Sequence, residues 1–158
     1  MIPASHLLTN LHRSWLTESE LWTCLELAKY AEYTTVRGPL RMAPLFDHHL
    51  AVIPAIQRYL QGEKPYGAFI IRYAVGGEKG PHLDAVPSGK TTHDRMVCLL
   101  QAPGAGGELR FEGELVPLAV RDAVQFRADL ISHAIGPVLE GERIVLTVGR
   151  CAGKEVGP

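Results

Sequence analysis

A mainly β domain led by helices is the fold class that three features of the sequence predict. The first 65 residues carry apolar side chains at helical spacing, the remainder breaks into short β-like runs, and Gly and Pro separate those runs. Several short strands at such spacing build an antiparallel sandwich or barrel, here a β-roll with the helices packed outside it. At 158 residues the chain can enclose one substantial core. The organisation expected is one domain over 1–158, with a helical support region over 1–65 and the β core over 66–151.

The first helix is expected within residues 17–33, where Leu21, Trp22, Leu25, Leu27 and Ala28 recur at helical spacing. Thr17 with Glu20 three residues later forms a capping box, in which hydroxyl and carboxylate each accept from a free backbone N–H. Arg37-Gly38-Pro39 breaks the pattern. A second helix is expected from about 46 to 60, entered near Pro44 and carrying Leu50, Ile53, Ile56 and Leu60. Pro54 lies inside it, where the ring splits or kinks a helix. Strands are expected at 68–75, 95–101, 108–111, 114–118, 123–127, 132–138 and 143–150. Residues 104–107 read as a hairpin turn, not a phosphate cradle, because no helix follows. The tail 152–158 is expected to fray.

Composition excludes several function classes. Formal net charge is −1, so no basic field speaks for nucleic acid. Cys24, Cys98 and Cys151 are odd in number and lack a C-x-x-C pair, which argues against a zinc ribbon or a disulfide framework and fits a reducing compartment. Cys98 lies in an apolar run and reads as a buried small hydrophobe; Cys151 reads as the most exposed thiol. The N-terminus lacks the charged-then-apolar order of a secretory signal, and no run reaches the ~18 apolar residues of a membrane span. A cytoplasmic domain without a membrane partner is the expectation.

The chemistry-bearing pattern is His82-Leu83-Asp84, then His133, then Arg143. On extended backbone alternate side chains share a face, so His82 and Asp84 can converge on one point. With His133 they supply two imidazoles and a carboxylate, the facial ligand set of non-haem iron(II) oxygenases, which leaves metal positions open. Arg143 begins an alternating strand that places Arg143, Val145 and Thr147 on one face. In a pocket its guanidinium needs an anion, and a dicarboxylic co-substrate would supply one. Taken singly, each residue has a plainer reading: a loop pair, a backbone-bonded His and a solvated Arg.

In order, these motifs resemble the iron(II)/2-oxoglutarate-dependent dioxygenases, especially the prolyl-4-hydroxylase-like branch. Arg72-Tyr73-Ala74-Val75-Gly76 looks like its RYxxG lead-in, and Pro81-His82-Leu83-Asp84 like its metal motif. Gly106-Gly107-Glu108-Leu109-Arg110-Phe111 is similar to its GGxxxF hairpin. Asp122 to Phe126, His133, Pro137-Val138 and Gly141-Glu142-Arg143 follow its C-terminal order, so the likeness covers roughly half of the chain. It implies a double-stranded β-helix (jelly roll, cupin-like). It also implies iron(II) on His82, Asp84 and His133, with 2-oxoglutarate and O2 as co-substrates and ascorbate as an optional reductant. Arg143 stands where many relatives carry Lys, and it would pair with the distal carboxylate of 2-oxoglutarate. Tyr73, on one face with Phe69 and Ile71, would add a hydroxyl contact there, its plainer reading being a core aromatic.

The activity so implied is oxidation of an unactivated C–H bond, hydroxylation first, with desaturation, cyclisation and epoxidation left open, and succinate and CO2 as co-products. Related halogenases lack the carboxylate that Asp84 provides. Little of the chain is free to form a large lid, which favours a small molecule such as an amino acid or natural-product intermediate. A peptide or protein side chain is the alternative substrate. A non-catalytic metal-binding β-roll and a zinc isomerase or hydrolase are the alternative classes. Adjacent His48 and His49 would point about 100° apart on a helix and read as surface or pocket-edge residues. His93 reads as part of a solvated loop. Arg41, Arg72, Arg95 and Arg127 are left as candidates for a substrate carboxylate, and Arg127 and Arg150 as the next candidates to anchor 2-oxoglutarate.

Overall fold

The computed structural model describes residues 9–153. Its central strand is β13 (Arg143–Arg150), whose first seven residues are buried. A strand covered on both faces sorts its side chains by parity. Ile144, Leu146 and Val148 join one apolar cluster, whereas Val145 joins the other. Burying each such aliphatic side chain contributes about 1.5–3 kcal/mol.

Around β13 lies a seven-stranded sheet in the order β1-β10-β6-β13-β4-β3-β2. Its strands are β1 (Thr9–His12), β2 (Thr34–Arg37), β3 (Leu40–Pro44), β4 (Ala68–Tyr73), β6 (Asp94–Gln101) and β10 (Ala123–Arg127), besides β13. A four-stranded sheet, β5-β11-β8-β9, faces it, built from β5 (Lys79–His82), β8 (Leu109–Phe111), β9 (Glu114–Leu115) and β11 (His133–Ile135). A small ribbon pairs β7 (Ala105–Gly106) with β12 (Val138–Glu140). All pairings are antiparallel. Leu109, Phe111 and Ile135 of the smaller sheet pack with Leu99, Phe126 and Val145 of the larger one. This is the mainly β jelly roll expected from the sequence.

Helix α1 (Glu18–Tyr30) starts with the expected capping box, Glu20 N donating to Thr17 Oγ1 and Thr17 N to Glu20 Oε1, both at 3.1 Å. The second helical stretch is split into α2 (Asp47–Leu50) and α3 (Pro54–Leu60), with Pro54 in the first turn of α3, where its missing N–H costs nothing. Both halves pack on the outer face of the large sheet through Leu50, Ile53, Ile56 and Leu60.

Reading residues 1–65 as helical support needs correction, because β1, β2 and β3 lie there and extend the large sheet at both ends. Arg37-Gly38-Pro39, expected only to stop a helix, includes the turn joining β2 to β3, with Gly38 at φ 51°. The stretch 132–138 is two strands, β11 and β12, interrupted at Gly136-Pro137. Residues 79–82 form β5, although Gly80 and Pro81 obscure any strand pattern. Part of the expected fraying tail, 154–158, lies outside the described residues.

Candidate functional site

His82 is the last residue of β5 and His133 the first of β11, and their Cα atoms are direct cross-strand partners. That register brings the two rings together, tilted by 56° with centroids 4.1 Å apart. Asp84 follows β5 by two residues, its backbone N–H donating to Ala128 O at 2.9 Å. The three sequence-predicted ligands therefore meet: one ligand atom from each lies within 4.8 Å of the others.

The hydrogen bonds around this cluster fix its chemistry. His82 Nδ1 contacts Gly80 O at 2.8 Å, and His133 Nδ1 contacts Ile131 O at 2.9 Å. A carbonyl oxygen only accepts, so each Nδ1 carries its hydrogen and each Nε2 presents a lone pair in the neutral ring. Those two Nε2 atoms point at Asp84 Oδ1, at 3.5 Å and 3.3 Å. Three acceptors around one point lack a donor, and a cation completes such an arrangement. The donor set fits a divalent metal, with imidazole tautomers fixed as metal ligands require.

Asp84 Oδ2 faces elsewhere, 3.1 Å from Arg95 Nε. Burial raises the Asp84 carboxyl; where His133 and His82 take a second proton in place of a cation, their Nε2–H donation and charge, with that of Arg95, outweigh burial and hold the group well below the usual range. Arg95 Nη1 donates to Thr147 Oγ1 at 2.7 Å, and Nη2 reaches His93 Nε2 at 3.3 Å. His93 in turn donates from Nδ1 to Ala85 O at 2.9 Å. It is 3 % exposed, so the solvated-loop reading of His93 is corrected. Gly149 makes room for this network: a Cβ there would collide with Tyr66 O and sit 3.0 Å from Arg95 Nη2.

Arg143 lies four residues before Thr147 on the same face of β13, about 13 Å along the strand. It is 4 % exposed. Nη1 donates to Gly107 O at 3.0 Å, while Nε and Nη2 are buried without a hydrogen-bond partner. Gly107 holds φ 69°, and a Cβ there would lie 2.9 Å from Val138 Cγ2. Burial lowers Arg143 to about 10, partly offset by Tyr73, so it stays charged at neutral pH. Tyr73 is its direct cross-strand partner, and burial pushes the phenol up to about 12. A buried guanidinium with two idle donor nitrogens calls for an anion.

Both groups line one cavity of ≈ 390 Å³, together with Phe69, Ile71, Tyr73 and Thr147. A larger cavity, ≈ 1110 Å³, shares no lining residue with it and contains none of the metal-ligand set. Size alone does not mark the chemistry.

The remaining candidates are sorted by their partners. Arg72 pairs with Glu142, Arg127 chelates Asp129, and Arg150 donates to Tyr59 O at 2.5 Å. Arg41 is exposed over the Tyr33 ring. Among the described arginines, only Arg95 and Arg143 line the cavity. His48 and His49 lie apart from it, at the larger cavity. Sequence reasoning missed the Arg95–Asp84 pair; the parity that puts Arg95 and Val97 on one face of β6 was its only signal.

No protein-family model matches the sequence, and no curated protein matches it. Solved structures do match. The viral collagen prolyl hydroxylase of Paramecium bursaria Chlorella virus-1, in complex with 2-oxoglutarate, superposes with TM-score 0.73 at 18% identity, covering 93% of this chain and 97% of that one. The fold is that of the 2-oxoglutarate–iron(II) oxygenases. A Pseudomonas putida prolyl-4-hydroxylase superposes with TM-score 0.70 at 18% identity, covering 92% of each chain. HygX from Streptomyces hygroscopicus, with nickel, 2-oxoglutarate and hygromycin B bound, gives 0.68 at 12% identity, covering 91% and 82%. The double-stranded β-helix implied by the sequence motifs is therefore the fold of the chain.

Proposed function

We propose that this chain is an iron(II)- and 2-oxoglutarate-dependent dioxygenase that hydroxylates a C–H bond of a small molecule. One observation carries the reading: a His-Asp-His acceptor cluster and an under-satisfied buried guanidinium share one cavity. A metal-binding β-roll without turnover has no need of the guanidinium. A zinc hydrolase would have no need of it either.

His82, Asp84 and His133 would hold the metal through Nε2, Oδ1 and Nε2, leaving its other positions free. When bound, the metal and 2-oxoglutarate supply the oxidation: O2 and 2-oxoglutarate give succinate and CO2, and the second oxygen atom enters the substrate C–H bond as hydroxyl. Arg143 binds the distal carboxylate of the co-substrate in a charge-assisted pair, with the Tyr73 hydroxyl as a second donor. Arg95 occupies Asp84 Oδ2, which would leave Oδ1 to hold the metal. Phe69, Ile71 and Val145 line the space between and limit water. The presence of Asp84 favours hydroxylation over halogenation.

A cavity of ≈ 390 Å³ is near the lower end of the ~300–1,000 Å³ typical of small-ligand sites. Once the co-substrate is accommodated, the remaining space suits a small substrate, such as an amino acid or natural-product intermediate. Similarity to two prolyl hydroxylases supports a peptide side chain as the second reading. All three cysteines are free, Cys24 and Cys98 buried and Cys151 half-buried, which suits a reducing, cytoplasmic setting. No described helix is long and apolar enough to cross a membrane.

The test is an anaerobic iron(II) and 2-oxoglutarate titration, followed in air by a succinate-reading screen of amino acids, natural-product intermediates and prolyl peptides. Substrate-stimulated succinate with a hydroxylated product is expected. Metal binding without affinity for 2-oxoglutarate would overturn the reading.

A further inference from the structure

The larger cavity lies along the outer side of α1. Glu20, Cys24 and Ala28, spaced by four, form the buried stripe of that helix. Trp22, Glu26 and Tyr30 repeat the same spacing two residues on, about 200° round the helix and so on its opposite side. A Trp and a Tyr on the solvent stripe invert the usual pattern: Trp22 is 68 % and Tyr30 73 % exposed. Phe46, 58 % exposed just before α2, lines the same cavity. Three large aromatic side chains exposed around one groove form a patch of the kind that marks an interaction site.

The charge of the groove indicates its occupant. Its lining includes the carboxylates of Glu26 and Glu32 and the imidazoles of His48 and His49, but no Lys or Arg. Neither of these carboxylates has a partner among the described residues. Aromatic rings at its margin already receive cations: Lys29 Nζ sits 5.2 Å from the Tyr30 centroid, and the Arg41 guanidinium 5.6 Å from that of Tyr33. Ring faces attract cations through their quadrupole, and adjacent carboxylates reinforce that preference. At ≈ 1110 Å³, the groove exceeds the ~300–1,000 Å³ of small-ligand pockets. Two separate carboxylates and several ring faces match several cationic groups carried on one chain. We propose that this groove docks a basic peptide segment, its Lys or Arg side chains lying over Trp22 and Tyr30 and pairing with Glu26 and Glu32. Its lining is distinct from the metal cavity, so docking there does not depend on the oxygenase reading.

The experiment measures fluorescence anisotropy of three labelled dodecapeptides of equal length, rich in Lys and Arg, in Gln, or in Glu. Binding of the basic peptide alone is expected, weakening as salt is raised. Trp22→Ala and the double variant Glu26→Gln/Glu32→Gln should each weaken it about tenfold or more. All three side chains are exposed, so thermal stability serves as the folding control. Equal binding of the three peptides, no binding of the basic one, or binding unchanged in both variants would overturn the proposal. Sedimentation of the unliganded protein tests a second copy of the chain as occupant. A dimer abolished by Trp22→Ala would assign the groove to self-association and likewise overturn it.

Discussion

The two ends of the metal cavity hold opposite electrostatic debts. At one end, Asp84 meets two imidazoles and a guanidinium, and Arg95 is further tied to Thr147 and His93. At the other, Arg143 is nearly fully buried with one hydrogen bond, to a backbone carbonyl. The first end is a set of acceptors already oriented by the fold; the second is a donor left short of an anion. β13 runs between them, Thr147 at the one and Arg143 at the other. On the proposed reading one end would hold a cation and the other a carboxylate, so each should be open to separate damage.

The largest effect is expected at the cluster. His133→Ala removes one of the three proposed ligands and should abolish turnover and sharply weaken metal binding, read by anaerobic titration. Turnover persisting at unchanged iron affinity would remove His133 from the ligand set. Asp84→Ala should also stop turnover while leaving partial metal binding, because both imidazoles stay.

Next in size is the other end. Arg143→Ala should cost about 2–5 kcal/mol of co-substrate binding, or about 30-fold or more in KM for 2-oxoglutarate. Metal affinity measured without 2-oxoglutarate should stay near wild type. Losing both together would mean that the two ends are not separable. An unchanged KM would move the anchor to another cation. Arg127 and Arg150 are poor substitutes, since each is committed to a partner outside the cavity.

How legible these ends were follows from range. The proposed metal ligands and Arg143 sit in local motifs, and parity along β13 is a period-2 property, so both could be read from residues 82–84 and 133–150. The strands 123–127 and 143–150 match β10 and β13 residue for residue. What could not be read depends on distant partners. β5 contains Gly80 and Pro81 and exists because β11 pairs with it. β1 reaches the sheet only by pairing with β10, more than 100 residues away. Arg95 looked like one candidate among several, because its ion pair with Asp84 spans a loop whose path carries no sequence signal.

Arg95 sharpens the contrast at intermediate size. Arg95→Gln frees Asp84 Oδ2 and should weaken metal binding about 10–100-fold, as loss of an outer-shell partner does. Its KM for 2-oxoglutarate should change little once metal is saturating. Arg95→Lys keeps the charge without the planar fork and should restore part of the affinity. A Co(II) absorption spectrum unchanged in Arg95→Gln, at wild-type affinity, would show that Asp84 needs no such support.

The smallest effect lies outside the cavity and should leave both ends intact. Glu20, 7 % exposed, accepts from Thr17 N at 3.1 Å and from Ala55 N at 2.7 Å, joining the starts of α1 and α3. Burial raises its carboxyl, but those backbone donors, the Thr17 hydroxyl and Arg58 together lower it below its ordinary value. A carboxyl depressed in the folded state stabilises above its unfolded value, near ~4.3, and that contribution is lost as pH falls through the folded value. Glu20→Gln should therefore cost about 1 kcal/mol at neutral pH and flatten the decline in stability below pH ~4. Urea unfolding at pH 7 and pH 3 measures both. Metal and 2-oxoglutarate affinities should match wild type. A change in either would mean that the helical layer sets the geometry of the cavity through the large sheet, and that neither end is independent of it.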